Sequence, residues 1–182
     1  VGGVRTAVGR FNGALASLSA TQLGSIVIKE LLARTSVDAT DVDEVILGNV
    51  VQAGLGQNPA RQAAVGAGVP YAVPSYTVNK VCGSGLKAIA LGASAIMTGS
   101  ADVILAGGQE NMSQVPMALP KARWGHRMEL TGVGDIYDLM VFDGLYEIFY
   151  GYHMGMTAEN IAAMYEISRK EQDELSVLSH NR

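Results

Sequence analysis

The stretch TVNKVCGSGLKAI, residues 77–89, contains the only cysteine of the chain, Cys82. The β-branched residues before it read as the end of a strand. Gly83 and Gly85 after it open an apolar run that reads as a helix. Cys82 therefore falls at a strand-to-helix corner. A helix start carries unpaired N–H groups and a partial positive charge, and both favour a thiolate over a thiol. Glycine beside such a corner lets a substrate approach the backbone, and the Cys82 amide can point into the same space to bind an oxyanion. A lone cysteine is as often a small buried packing residue. No histidine lies near it in sequence, so the residues alone leave both readings open.

The helix that follows has almost no polar face. Leu86, Ala88, Ile89, Ala90, Leu91, Ala93, Ala95, Ile96 and Met97 surround it, which predicts a rod buried on all sides and a rigid mount for Cys82. Upstream, Ser19 and Gln22 form a capping box for a helix over 19–34, with Leu18 and Leu23 placed as a hydrophobic staple. Residues 45–47 read as a buried strand without polar alternation, as in a parallel sheet covered on both faces. Asn58 and Pro59 start a second helix, and strands are predicted around residues 75–78 and in DVILAGGQE. The opening VGGVRTAVGR reads as the end of a first strand. The order strand, helix, strand, helix, strand, helix, strand argues an α/β layered fold.

Past Asn111 the composition shifts to a long segment rich in aromatic residues, with the cations Lys121, Arg123, His126 and Arg127. It is too long for a simple connection and predicts a functional loop or subdomain. Asp135, Asp138 and Asp143 are too loosely spaced to assign a metal. Thr157 is a candidate cap for a helix in TAENIAAMY, and Ser168 with Glu171 forms a second capping box. The chain stops at LSVLSHNR inside a helical pattern with no C-cap. With its opening in mid-strand, this predicts a piece of a longer protein.

The totals set bounds. The 182 residues carry 13 Lys and Arg against 17 Asp and Glu, for a net charge of −4. A mild acidic balance gives no footprint for nucleic acid. One cysteine excludes an internal disulfide and a multi-cysteine metal site, and it fits a reducing compartment, here expected to be the cytoplasm. No apolar run of about 18 residues predicts a membrane span.

The motif NKVCGSGLKAI resembles the active-site signature of the thiolases. RTAVGRFNGAL, VDEVILGNVVQAGLGQNPARQAA, ADVILAGGQENMS and GYHMGMTAEN agree in order and spacing, so the likeness spans nearly the whole chain. It implies a thiolase-like layered α/β fold: a mixed sheet covered by helices, with a loop domain inserted in the first of two similar halves. Residues 1–115 would be the first half-domain, without the start of its first strand. Residues 116–182 would begin the inserted loop domain, including an oligomerisation loop.

The resemblance also implies a chemistry. Cys82 would be acylated by an acyl-CoA, and the acyl group would pass to the α-carbon of a second acetyl-CoA, or the reverse cleavage would run. The expected activity is that of an acetyl-CoA acetyltransferase making or cleaving acetoacetyl-CoA. No cofactor is implied beyond the coenzyme A of the substrate. His153 and Met154 read from sequence alone as loop packing. In the family the matching pair lines the acyl and pantetheine pocket, and Leu145 matches a residue on the CoA tunnel wall. The cations Lys121 to Arg127 are ordinarily a solvated loop, whereas their position matches the family's tetramerisation loop. This implies a homo-oligomer, a dimer of dimers. The family's remaining catalytic groups stand in Gly-His-Pro, Cys-x-Gly-Gly-Gly and Asn-Glu-Ala-Phe motifs, and none of these is present here. The missing C-terminal half is therefore an expected partner, without which a sheet or helix face would stay uncovered. Alternatives are a broad-range 3-ketoacyl-CoA thiolase of fatty-acid degradation, a ketoacyl synthase of the same fold, or a non-catalytic acyl-CoA-binding homologue.

Overall fold

The computed structural model describes residues 1–182. They form two compact units, Val1–Gly144 and Leu145–Arg182. The first unit holds α1 (Ala20–Thr35), β1 (Glu44–Gly48), α2 (Pro59–Gly66), β2 (Ser75–Val78), α3 (Ser84–Met97) and β3 (Ile104–Gly108). Local chemistry sets the helix starts. Ser19 and Gln22 close the expected capping box on α1. Asn58 accepts from the Arg61 amide ahead of Pro59 on α2.

The three strands form one sheet in the order β2-β1-β3. Both pairings are parallel, with Val45 beside Ser75 on one side and Leu105 on the other. The antiparallel part of the expected mixed sheet is confined to two-residue ribbons, the first between β4 (Met117–Ala118) and β5 (Tyr137–Asp138). Parallel strands need crossovers, and α2 and α3 supply them.

Side chains alternate along β1. Val45 and Leu47 join Leu105, Ile28 of α1 and Ala60, Ala63 and Ala64 of α2 in the main core. Ile46 and Gly48 face the other way, toward α3. Helices therefore cover both faces of the sheet, which is why β1 carries no polar residue between Val45 and Gly48. Small residues bring the layers close. Ser25 Oγ of α1 donates to the Ala63 carbonyl of α2 at 3.0 Å. A Cβ on Gly92 of α3 would lie 2.8 Å from Ile104 Cγ2.

Two expectations are corrected. α3 is not buried on all sides: only Ser84, Ala88 and Gly92 are buried, while Leu86 is 74% and Met97 86% exposed. A single layer, the sheet, packs against it, and a helix on one sheet face buries only the stripe of small residues it presents there. The expected first strand is also absent. Residues 1–10 form no ladder; Gly2, Gly3 and Gly9 among them lower the stretch's own strand propensity.

The second unit contains the ribbon β6 (Tyr146–Glu147) with β7 (Tyr152–His153), then α4 (Met154–Met164) and α5 (Arg169–Asn181). Ser168 and Glu171 cap α5 as predicted. Thr157 does not cap α4. The helix begins four residues earlier than such a cap would set it, because the His153 ring accepts the Gly155 amide and takes the capping role itself.

Candidate functional site

The turn carrying Cys82 rests on a seat of glycines. Gly48 ends β1, Gly108 is its register partner at the end of β3, and Gly85 lies in the first turn of α3. A Cβ on Gly48 would lie 2.5 Å from the Ser84 carbonyl carbon and 2.6 Å from the Gly85 nitrogen. A Cβ on Gly108 would lie 3.4 Å from the Gly85 Cα. At Gly48 only glycine permits this approach, and it sets the start of α3 directly on the end of β1, whereas the contact at Gly108 is ordinary van der Waals distance.

Above the seat the chain turns sharply between Val78 and Ser84. Val81 adopts φ 47°. For a β-branched residue this is a strained conformation, costing about 1–3 kcal/mol, that persists only where its surroundings impose it. Ser84 is buried and bonded twice within the turn: its hydroxyl donates to the Val81 carbonyl, and its oxygen accepts the Lys80 amide at 2.8 Å. Asn79 Oδ1 accepts the Val81 amide at 2.9 Å. The thiol of Cys82 is free and exposed, on a turn held from both sides.

The helix-start amides differ from expectation. The Gly83 amide donates to the Lys80 carbonyl at 3.1 Å and the Ser84 amide to the Val81 carbonyl at 3.0 Å. Both are consumed in forming the turn and so do not face a ligand.

Glu110, two residues past β3, reaches the loop after β1. Its carboxylate accepts from Asn49 Nδ2 at 2.8 Å and from the Val50 and Val51 amides at 2.8 and 3.4 Å. Burial pushes its pKa above the ordinary 4.5, although these three donors pull the other way. A carboxyl whose pKa rises on folding stabilises the fold fully below its unfolded value, and that contribution is lost as pH rises through the folded value. In urea titrations, wild type should therefore lose stability relative to Glu110→Gln as pH climbs from about 4.5 through the raised value. A difference of the opposite sign would contradict the burial argument.

Asn79, Ser84 and Glu110 are not singled out by sequence pattern. The one available signal was the turn-forming chemistry of Asn and Ser beside glycine. A cavity of about 860 Å³ lies between α1, α3 and the open edge of β3, lined in part by residues 1–6. Cys82 is not among its walls, so volume and chemistry point to different places. The cysteine turn is the better candidate, because the cavity holds no cysteine and follows the unpaired edge of the sheet.

The remaining predicted residues lie on other elements. Leu145 is half-buried and ends a wide helical turn, Met140–Leu145. His153 and Met154 stand at the start of α4. The His153 Nδ1 accepts the Gly155 amide at 2.9 Å, which leaves Nε2 for other partners. Lys121, Arg123, His126 and Arg127 lie on the excursion between β4 and β5. Lys121 is not a free cation there: it pairs with Glu129, whose hydrogen bond and charge raise its pKa. Trp124, Met128 and Leu130 on the same excursion are largely exposed. No group of three or more His, Cys, Asp or Glu comes together as a metal site would require, and no helix is long and apolar enough to cross a membrane.

A parallel sheet between helical layers, with a cysteine-bearing turn seated on glycines at the strand ends, defines an α/β layered domain that presents one side chain at a strand-to-helix corner. The chain belongs to the thiolase family: residues 1–182 match the family model described as Thiolase, N-terminal domain. It is 56% identical over 182 residues to an acetyl-CoA acetyltransferase of Pseudomonas aeruginosa, covering 100% of this chain and 46% of that protein. An acetyl-CoA acetyltransferase of Cupriavidus necator is 54% identical over the same shares. A probable acetyl-CoA acyltransferase of Staphylococcus aureus is 51% identical, covering 98% of this chain and 44% of that protein. The chain thus spans about half the length of the curated relatives it matches.

Proposed function

We propose that this chain is the nucleophile-bearing portion of an acyltransferase that forms or cleaves acetoacetyl-CoA through an acyl thioester on Cys82. One observation carries the reading: the sole cysteine, within the motif NKVCGSG, stands exposed on a turn whose strained backbone is held by neighbouring side chains. The Cys82 thiolate attacks the thioester carbonyl of acetyl-CoA, and coenzyme A leaves as its thiolate. A second acetyl-CoA then gives up an α-proton, which ends on the departed coenzyme A, and its α-carbon attacks the acetyl-Cys82 carbonyl, forming acetoacetyl-CoA and freeing Cys82 as the thiolate. Splitting the transfer in two replaces one hard step by two easier ones. The Cys82 amide would serve as a donor to the oxyanion of each step.

By motif match, Leu145, His153 and Met154 belong to the acyl and pantetheine pocket. Lys121, Arg123, His126 and Arg127 belong to an oligomerisation loop. The exposed Trp124, Met128 and Leu130 on that loop support an assembly role for it, since such apolar side chains are covered in a partner interface. Residues 116–182 then open an inserted loop domain. The rest of the protein would supply the further catalytic groups and cover the exposed side of α3. A free thiol of this kind suits a reducing compartment such as the cytoplasm.

Thiolysis of acetoacetyl-CoA by coenzyme A tests the reading. The intact protein should turn over, and residues 1–182 alone should not. Turnover by residues 1–182 without a second chain, or none by the intact protein, would contradict it.

A further inference from the structure

We propose that Asn79 and Glu110 are positioning residues for Cys82, acting through the backbone of Val50. This rests on the reading of Cys82 as the nucleophile and adds the device that aims it. The two polar groups of Val50 are gripped from opposite sides. Its amide donates to Glu110 Oε2 at 2.8 Å, and its carbonyl accepts from Asn79 Nδ2 at 3.2 Å. Asn79 then uses its other atom, Oδ1, to accept the Val81 amide at 2.9 Å. A continuous relay runs from the end of β3, through the loop after β1, to the residue before Cys82.

The relay ends where the backbone is strained. Val81 holds φ 47° with no glycine to ease it, so something must keep it there. Ser84 grips the Val81 carbonyl and Asn79 grips the Val81 amide. Ser84 is part of the helix start and moves with it. Asn79 is the side chain that hydrogen-bonds this turn to the loop after β1. Glu110 makes that tie rigid, because its carboxylate also holds Asn49 and the Val51 amide. Two unrelated stretches, NKVCGSG and GGQEN, are thereby joined in one function.

Asn79 is exposed, so its side chain contributes little packing, and its loss separates aim from folding. Asn79→Ala in the intact enzyme should slow alkylation of Cys82 by iodoacetamide and lower kcat for thiolysis by roughly 10-fold to 100-fold, as an ångström-scale misplacement does. KM and the melting temperature should hold. Glu110→Gln puts an amide nitrogen where one acceptor stood and should lower kcat in the same sense. Should Asn79→Ala fail to fold, Asn79→Asp carries the test. It keeps the acceptor for Val81 and loses the donor to Val50, so it should react more slowly than wild type. Wild-type alkylation and kcat in these variants would overturn the relay. If wild-type Cys82 takes no acetyl group from acetyl-CoA, the nucleophile reading itself fails, and the relay with it.

Discussion

Cys82→Ala is expected to abolish acyl transfer in the intact enzyme, lowering kcat/KM by roughly 10⁴-fold or more, as removal of a covalent nucleophile does. Residues 1–182 offer no substitute and hold no second cysteine. The nearest hydroxyl, that of Ser84 two residues on, is buried and committed to the Val81 carbonyl and the Lys80 amide. It can neither reach a substrate nor shed its proton without breaking the turn. Stability should be unaffected within about 0.5 kcal/mol, because Cys82 is exposed and packs little surface. Activity assays alongside thermal melts separate the two effects. A variant that retained wild-type turnover would remove Cys82 from the mechanism.

Gly48→Ala should be the most damaging single methyl group in the fold. Its Cβ would meet the Ser84 carbonyl carbon and the Gly85 nitrogen at 2.5 and 2.6 Å, well inside van der Waals contact. Those are backbone atoms at a helix start, so no side chain can rotate away. Either α3 lifts from the sheet or β1 shifts its register with β2 and β3. The cost is set at about 3 kcal/mol by analogy with overpacked cores, a large share of a typical domain stability of roughly 5–15 kcal/mol. Urea unfolding would measure it. The same displacement moves the Cys82 turn, so thiol alkylation should slow together with the loss of stability. Gly107→Ala is the control. A Cβ there meets only Leu47 Cδ2, at 3.8 Å, which is ordinary contact, and its effect should be much smaller.

Much of this architecture is legible in the residues. The capping boxes at Ser19 and Ser168, and Asn58 ahead of Pro59, mark helix starts because each satisfies amides locally and needs no tertiary partner. The apolar run in β1 announces a strand covered on both faces. The corner at Cys82 follows from a β-branched segment giving way to glycine. What could not be read depends on neighbours distant in sequence. The near-uniform apolarity of α3 says that every side is suited to burial, but not which layers are there to bury it. Leu86 and Met97 are therefore exposed against expectation. Thr157 has the chemistry of a cap, yet His153 supplies an acceptor earlier in the chain and wins. The link between Glu110 and Val50 spans sixty positions, and no local pattern encodes such a contact. For the same reason Gly48, Gly85 and Gly108 look like three separate turn glycines until the sheet brings them together.

The central claim is that Cys82 accepts the acyl group. Incubating the intact enzyme with acetyl-CoA alone, quenching in acid and mapping peptides by mass tests it directly. The account predicts one acetyl group as a hydroxylamine-labile thioester on the peptide bearing Cys82, lost when coenzyme A is added before the quench. An unmodified Cys82 peptide, or an acetyl group found on any other residue, would contradict it.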